Sequence, residues 1–149
     1  MEEKQVLFEL GGETYSLNVT QVQSIIPMQE ITTVPGAPSF VEGVVNLRGA
    51  VIPVVDLRSR FNLVLPANGR KPVIIITELG DLQVGLIVDR VTNVTKIAEE
   101  TIEPPSPLLV SIETAYLRGI GRFRERLVIL LDLARVFSSD EQQTFSQAG

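Results

Sequence analysis

GVVNLRGAVIPVVDLRSRF, residues Gly43–Phe61, is the stretch from which the rest of the chain can be read. Two apolar segments flank Arg48-Gly49, and the second runs into Asp56-Leu57. A two-residue connection containing Gly reverses a chain between antiparallel strands. Val44–Leu47 and Val51–Val55 are therefore expected to form a β-hairpin with Arg48 at its tip. Pro53 cannot donate to a ladder, which predicts a sheet edge or a bulge at that point. Asp56 is expected to cap a short helical turn whose Leu57 and Phe61, spaced i, i+4, pack inward.

The same stretch recurs 76 positions later as GIGRFRERLVILLDLARVF, Gly119–Phe137, without a gap. Gly43 meets Gly119, Arg48 meets Arg124, Asp56 meets Asp132 and Phe61 meets Phe137. An earlier block repeats at an offset of 69: Glu9, Leu10, Gly11, Leu17 and Val22 match Glu78, Leu79, Gly80, Leu86 and Val91. Any two β-rich stretches share apolar runs and turn glycines, but two gapless blocks in one order indicate an internal duplication. The second copy would carry about seven extra residues, most simply in the Pro-rich stretch 102–115.

Outward from these blocks, Val6–Leu10 and Thr14–Val19 flank Gly11-Gly12-Glu13 and predict another hairpin, as do Val73–Glu78 and Gln83–Asp89 around Gly80-Asp81. Thr20–Ser24 predicts a short helical turn capped by Asn18 or Thr20 and ended by Pro27. Val91–Ile97 alternates as a half-exposed strand, and Pro66–Lys71 is the expected seam between halves 1–66 and 67–149. The polar tail after Phe137 is expected to fray or to extend a short helix. Many short strands with brief helices predict an all-β fold of two small barrels. Halves of this size need a shared core, and the groove between them is the default ligand site.

Composition narrows the chemistry. The 149 residues carry a net charge of −5, against general affinity for nucleic acid or anionic membrane. Arg118, Arg122, Arg124 and Arg126 form a local basic run without interleaved stacking aromatics beyond Phe123, which reads as a solvated hairpin or a protein-binding patch. Neither His nor Cys occurs, so the commonest general base, the thiol nucleophile and the usual transition-metal ligands are missing. No metal, cofactor or catalytic residue is expected. The acidic start lacks the features of a signal peptide, no apolar run approaches a membrane span, and the cytoplasm is the expected location.

One enzymatic reading survives, a pseudo-symmetric aspartic protease using Asp56 and Asp132. Each is followed by Leu and then Arg58 or Ala134, where such a protease needs a hydroxyl residue and Gly, so capping is the stronger reading. For recognition, Arg48 is either an interface anchor or a solvated turn arginine. Val22 and Val91 either face a pseudo-two-fold groove or are ordinary core valines.

These residues carry a resemblance. Phe8-Glu9-Leu10-Gly11, Val22-Gln23-Ser24-Ile25-Ile26, Gly43–Gly49 with its NLRG, Pro53–Leu57, and Gly85-Leu86-Ile87-Val88-Asp89 with Val91 and Val94 closely resemble the CheW family of bacterial chemotaxis adaptors, over residues 5–138. The resemblance implies a single CheW-like domain, 1–149, of two SH3-like five-stranded β-barrel lobes with a shared core, short helices and a C-terminal helix. It implies a non-catalytic adaptor that couples the cytoplasmic tips of chemoreceptors to the regulatory domain of the histidine kinase CheA and is recruited to membrane-associated arrays. The receptor tip would lie in a groove at Val22, Ser24, Val91 and Val94, with Arg48 nearby, and Gly43 and Gly49 map to positions linked to kinase or receptor coupling. Ser24 departs from relatives that often carry Glu there, which bears on receptor choice. A CheW-like scaffold of a non-flagellar chemosensory pathway is the alternative, and an end soon after Phe137 favours a free adaptor over a fused one.

Overall fold

The computed structural model describes residues 1–63, 71–110 and 112–148, with backbone alone for 146–148. The expected seam at Pro66–Lys71 lies, apart from Lys71, outside the described residues.

The hairpin chemistry read from the sequence produces the strands. β1 (Glu2–Leu10) and β2 (Glu13–Asn18) turn at Gly11-Gly12, with φ of 58° and 84°. β4 (Gly43–Leu47) and β5 (Ala50–Asp56) turn at Arg48-Gly49, φ 52° and 84°, and β9 (Leu117–Phe123) and β10 (Arg126–Leu131) at Arg124-Glu125, φ 50° and 68°. Positive φ at both central residues gives the turn whose twist matches antiparallel strands. β3 (Val22–Pro27), β6 (Val73–Leu79), β7 (Leu82–Val88) and β8 (Arg90–Ala98) complete ten strands among the described residues.

They form two five-stranded sheets, ordered β8-β1-β2-β10-β9 and β3-β6-β7-β5-β4. If β1–β5 are exchanged for β6–β10, one order becomes the other. The duplication is therefore built into the topology. The seam, however, does not separate the sheets: each takes the first two strands of one copy and the last three of the other. Registers repeat as well. Thr14 pairs with Val128 in the parallel β2–β10 contact, and Gly85 with Val54 in β7–β5, the same alignment carried two residues further.

Strand alternation explains the core. In β10, Val128 and Leu130 enter one barrel while Ile129 and Leu131 enter a central cluster. In β6, Ile74 and Ile76 fill the other barrel while Ile75 points to the centre. Strands buried on both faces read as unbroken apolar runs, as ILL and III do. The central cluster joins both sheets through Phe8, Tyr15, Leu86 and Val88, and Leu57, Phe61, Leu133 and Phe137 enter it from α1 (Leu57–Arg60), α2 (Leu133–Val136) and the residues that follow them. It is much larger than either barrel's own cluster, so the lobes are held together by shared burial.

Two expectations are corrected. Thr20–Ser24 is not one helical turn: Val19–Gln21 form a 3₁₀ turn, the Asn18 Oδ1 accepting the Thr20 N–H at 3.0 Å, and Ser24 lies in β3. The long-range ladder to β6 overrides the local preference. Pro53 lies in a strand flanked by β4 and β7, not at an edge. The parallel ladder to β7 begins at Val54, beyond the missing N–H. The tail takes the helical one of its two expected forms, α3 (Ser139–Ala148), anchored by buried Phe145 against Phe137 and Phe40.

Candidate functional site

The residues singled out in the two copies occupy matching places. β8 pairs with β1 through Leu7↔Asn93 and Phe8↔Val91, with a register shift between them. β3 pairs with β6 through Ser24↔Ile76 and Val22↔Thr77, with the same shift. Each shift is a β-bulge, which re-aims side chains at a sheet edge, and β3 and β8 are edge strands. It turns Val22 and Val91 onto the shared core, where both are half-buried. Ser24 is half-buried as well, whereas Val94 is 54% exposed and its counterpart Ile25 is 43% exposed. Val22 and Val91 therefore combine the two sequence readings, core valines at the margin of a surface, and Val94 is an exposed apolar side chain on the same edge strand as Val91.

Arg48 is exposed at its hairpin tip, and the Asn46 Oδ1 accepts the Gly49 N–H at 3.2 Å. The Gln29 side chain donates to the Asn46 carbonyl at 3.5 Å, so this hairpin meets the chain just beyond the C-terminal end of β3. Val22 stands at the opposite end of that strand, roughly 16 Å away along it. Arg48 thus belongs to another part of the lobe surface from Val22.

Gly43 and Gly49 differ in kind. A Cβ on Gly43 would lie 2.7 Å from the Ile31 Cγ2 and closer still to the Thr32 carbonyl oxygen, because Thr32 and Val44 exchange two backbone hydrogen bonds of 2.9 Å. Gly119 repeats the device, with the Ile102 Cγ2 at 2.5 Å and the Glu103 oxygen at 2.7 Å from such a Cβ, under a Glu103–Ile120 bridge. The bridge partners Thr32 and Glu103 are 71 apart. Two of the extra residues in the second copy therefore precede the bridge and five follow it. Gly49 faces open space but holds φ 84°, which L-residues rarely adopt.

The two matched aspartates are caps. The Asp56 Oδ1 accepts the Arg58 N–H at 2.9 Å and the Asp132 Oδ1 accepts the Ala134 N–H at 3.1 Å. Among the described residues no cluster of three or more acidic, His or Cys side chains could hold a metal ion, and no helix is long and apolar enough to cross a membrane.

Sequence reasoning missed the clamp at the pseudo-two-fold axis. Arg60 and Val136 are repeat counterparts, and the Arg60 Nε donates to the Val136 carbonyl at 3.0 Å. Its Nη1 and Nη2 donate to Glu141 at 2.7 and 2.6 Å, and its guanidinium lies 5.7–5.8 Å from the rings of Phe40, Tyr116 and Phe137. Burial pushes the Glu141 carboxyl up, but the Ser138 N–H and the Arg60 guanidinium outweigh it and hold the group below its ordinary value. The legible signal was Ser138-x-x-Glu141, a capping box: Ser138 N–H donates to Glu141 and Glu141 N–H to the Ser138 Oγ. Asp89 ties the first hairpin to α1, accepting the Gly11 N–H at 2.8 Å and lying 3.6 Å from the Arg58 Nε.

Known proteins share this architecture. The profile of the CheW-like domain matches residues 4–141. The chemotaxis protein CheW of Klebsiella aerogenes is 35% identical over 136 residues, covering 91% of this chain and 82% of its own. That of Bacillus subtilis is 35% identical over 142 residues, covering 95% and 91%. The crystal structure of the scaffolding protein TtCheW from Thermoanaerobacter tengcongensis superposes with a TM-score of 0.84 at 38% identity, covering 95% of this chain and 91% of that one. With this match extending over both interleaved barrels, the chain belongs to the CheW family, a family of non-catalytic chemotaxis scaffolds.

Proposed function

We propose that this chain couples the cytoplasmic tips of chemoreceptors to the regulatory domain of the histidine kinase CheA, working in the cytoplasm at membrane-associated receptor arrays. The observation that supports the reading is the matched pair of bulged edge strands, which turns Val22 and Val91 onto one shared core, with half-buried Ser24 and exposed Val94 further along the same strands. An apolar margin flanked by strands can receive a receptor helix. Val94 makes the open contact, and Ser24 stands where a carboxylate would select a different receptor side chain. Arg48, on another part of the surface, serves ternary assembly. Gly43 holds the β4 backbone against Thr32, and Gly49 sets the turn that presents Arg48.

The test is co-sedimentation with receptor-tip fragments and the CheA regulatory domain, singly and together. Val94→Asp is the informative variant because Val91 also packs on the core. A charge in the contact is expected to cost about 2 kcal/mol, roughly 30-fold in receptor affinity, with kinase binding retained. Arg48→Ala is expected to reduce ternary assembly. Binding to neither partner would assign the chain to another chemosensory pathway, and unchanged receptor binding by Val94→Asp would remove the groove.

A further inference from the structure

The two barrels are copies in backbone but not in surface. At the mouth of the β8-β1-β2-β10-β9 barrel lies a concavity of about 330 Å³, floored by Leu7, Thr14 and Val128 and rimmed by Arg90, Arg124, Arg126 and Phe123. Ligands commonly enter barrels at such mouths. In the other barrel the counterparts of Arg90, Phe123, Arg124 and Arg126 are Gln21, Leu47, Arg48 and Ala50. The fold is thus built in the second barrel with a single arginine in this set, so the extra cations at the first mouth are not needed to form it.

Their charge is only partly compensated. Glu9 is shared: the Arg90 Nε lies 2.8 Å from one carboxylate oxygen, and the Arg126 Nη1 lies 3.7 Å from the other. Arg90 and Arg126 are 67% and 69% exposed. The Arg124 guanidinium stacks over the Phe123 ring at 5.0 Å. Three guanidiniums face one rim carboxylate, on a protein whose net charge is −5.

We propose that this mouth is a docking site for an acidic, extended segment of a partner protein, distinct from the Val22/Val91 surface. Guanidinium forks match carboxylates, and a local cationic patch on an anionic protein selects and steers an acidic partner. The position of Glu9 decides the form of that partner. A compact polyanion placed between the arginines would meet the Glu9 carboxylate, whereas an extended segment sets separate carboxylates beside Arg90, Arg124 and Arg126 and passes Glu9 by.

The test is fluorescence anisotropy of a labelled hexaglutamate probe titrated with the full chain at low salt, where such contacts are least screened. Saturable binding is expected, absent for hexaglutamine. Arg90→Gln with Arg126→Ala, the residues that the other barrel carries, should weaken binding at least tenfold, and Arg124→Asn, which keeps a residue tolerant of positive φ, about threefold. Arg135→Ala, on α2, should leave it within twofold. The proposal is overturned by absent binding, by hexaglutamine binding equally, by indifference to the variants while circular dichroism stays native, or by inorganic phosphate displacing the probe at lower concentration than unlabelled hexaglutamate.

Discussion

Arg60→Ala is expected to be the most costly single truncation at the lobe junction. The substitution removes two charged hydrogen bonds to Glu141, one to the Val136 carbonyl, and the cation facing three aromatic rings. Both partners are largely shielded, with side-chain exposures of 17% and 19%, so the carboxylate loses its counter-charge and keeps only the Ser138 N–H. Breaking such a pair from one side costs about 3 kcal/mol, toward the lower end for buried pairs because some water reaches it. At 2–4 °C per kcal/mol for a chain of this size, the melting temperature should fall by about 10 °C. The double variant Arg60→Ala/Glu141→Gln should lose less than the sum of the singles, since the stranded charge goes with it. The pH dependence supplies a second sign. The folded Glu141 carboxyl is held below its ordinary value, burial opposing but outweighed by Ser138 and Arg60. Its stabilising contribution is therefore present above the unfolded value, about 4.3, and is lost as pH falls through the lower folded one. The gap between wild type and Arg60→Ala should narrow on acidification through that window. Thermal melts followed by circular dichroism at neutral and acidic pH decide it. A fall of under about 2 °C at neutral pH, or a gap that widens in acid, would refute the clamp.

Gly43→Ala and Gly119→Ala should each lower the urea midpoint by an equivalent of about 2 kcal/mol, because a Cβ meets backbone atoms that cannot rotate away. A loss confined to one of the two would show that the bridges are not equivalent. Asp56→Asn and Asp132→Asn should keep their caps and cost under about 1 kcal/mol, whereas the Ala variants should lose about 1 kcal/mol each. Partner binding should survive Asp56→Asn in a pull-down.

Hairpins and tips were legible where turn chemistry is local, as at Gly11-Gly12 and Arg48-Gly49, whereas the Arg124-Glu125 turn, without a turn-favouring residue, was legible only through the repeat. The capping aspartates were legible because capping too is local. Ser24 was misplaced because Val19–Gln21 carries a helical start that ends when β3 finds β6, a partner some fifty positions away. Phe145 was lost in a polar tail, where one aromatic residue anchors α3. Of the candidate site, Val22 and Val91 were correctly matched as counterparts, but their half-burial on the shared core depends on the bulges.

By itself the sequence determined a duplicated unit with two hairpins in each copy, their turns, their caps and a chain without the side chains for common catalysis. Only the tertiary structure decided which strands share a sheet. The two copies share their bulged registers, so the local pattern does not distinguish which first hairpin a β3-type strand joins. The choice falls to the exchanged arrangement, β3 on β6 and β8 on β1, which interleaves the copies around one buried cluster. That long-range burial, invisible to any local pattern, is also what draws Arg60 and Val136 together at the axis.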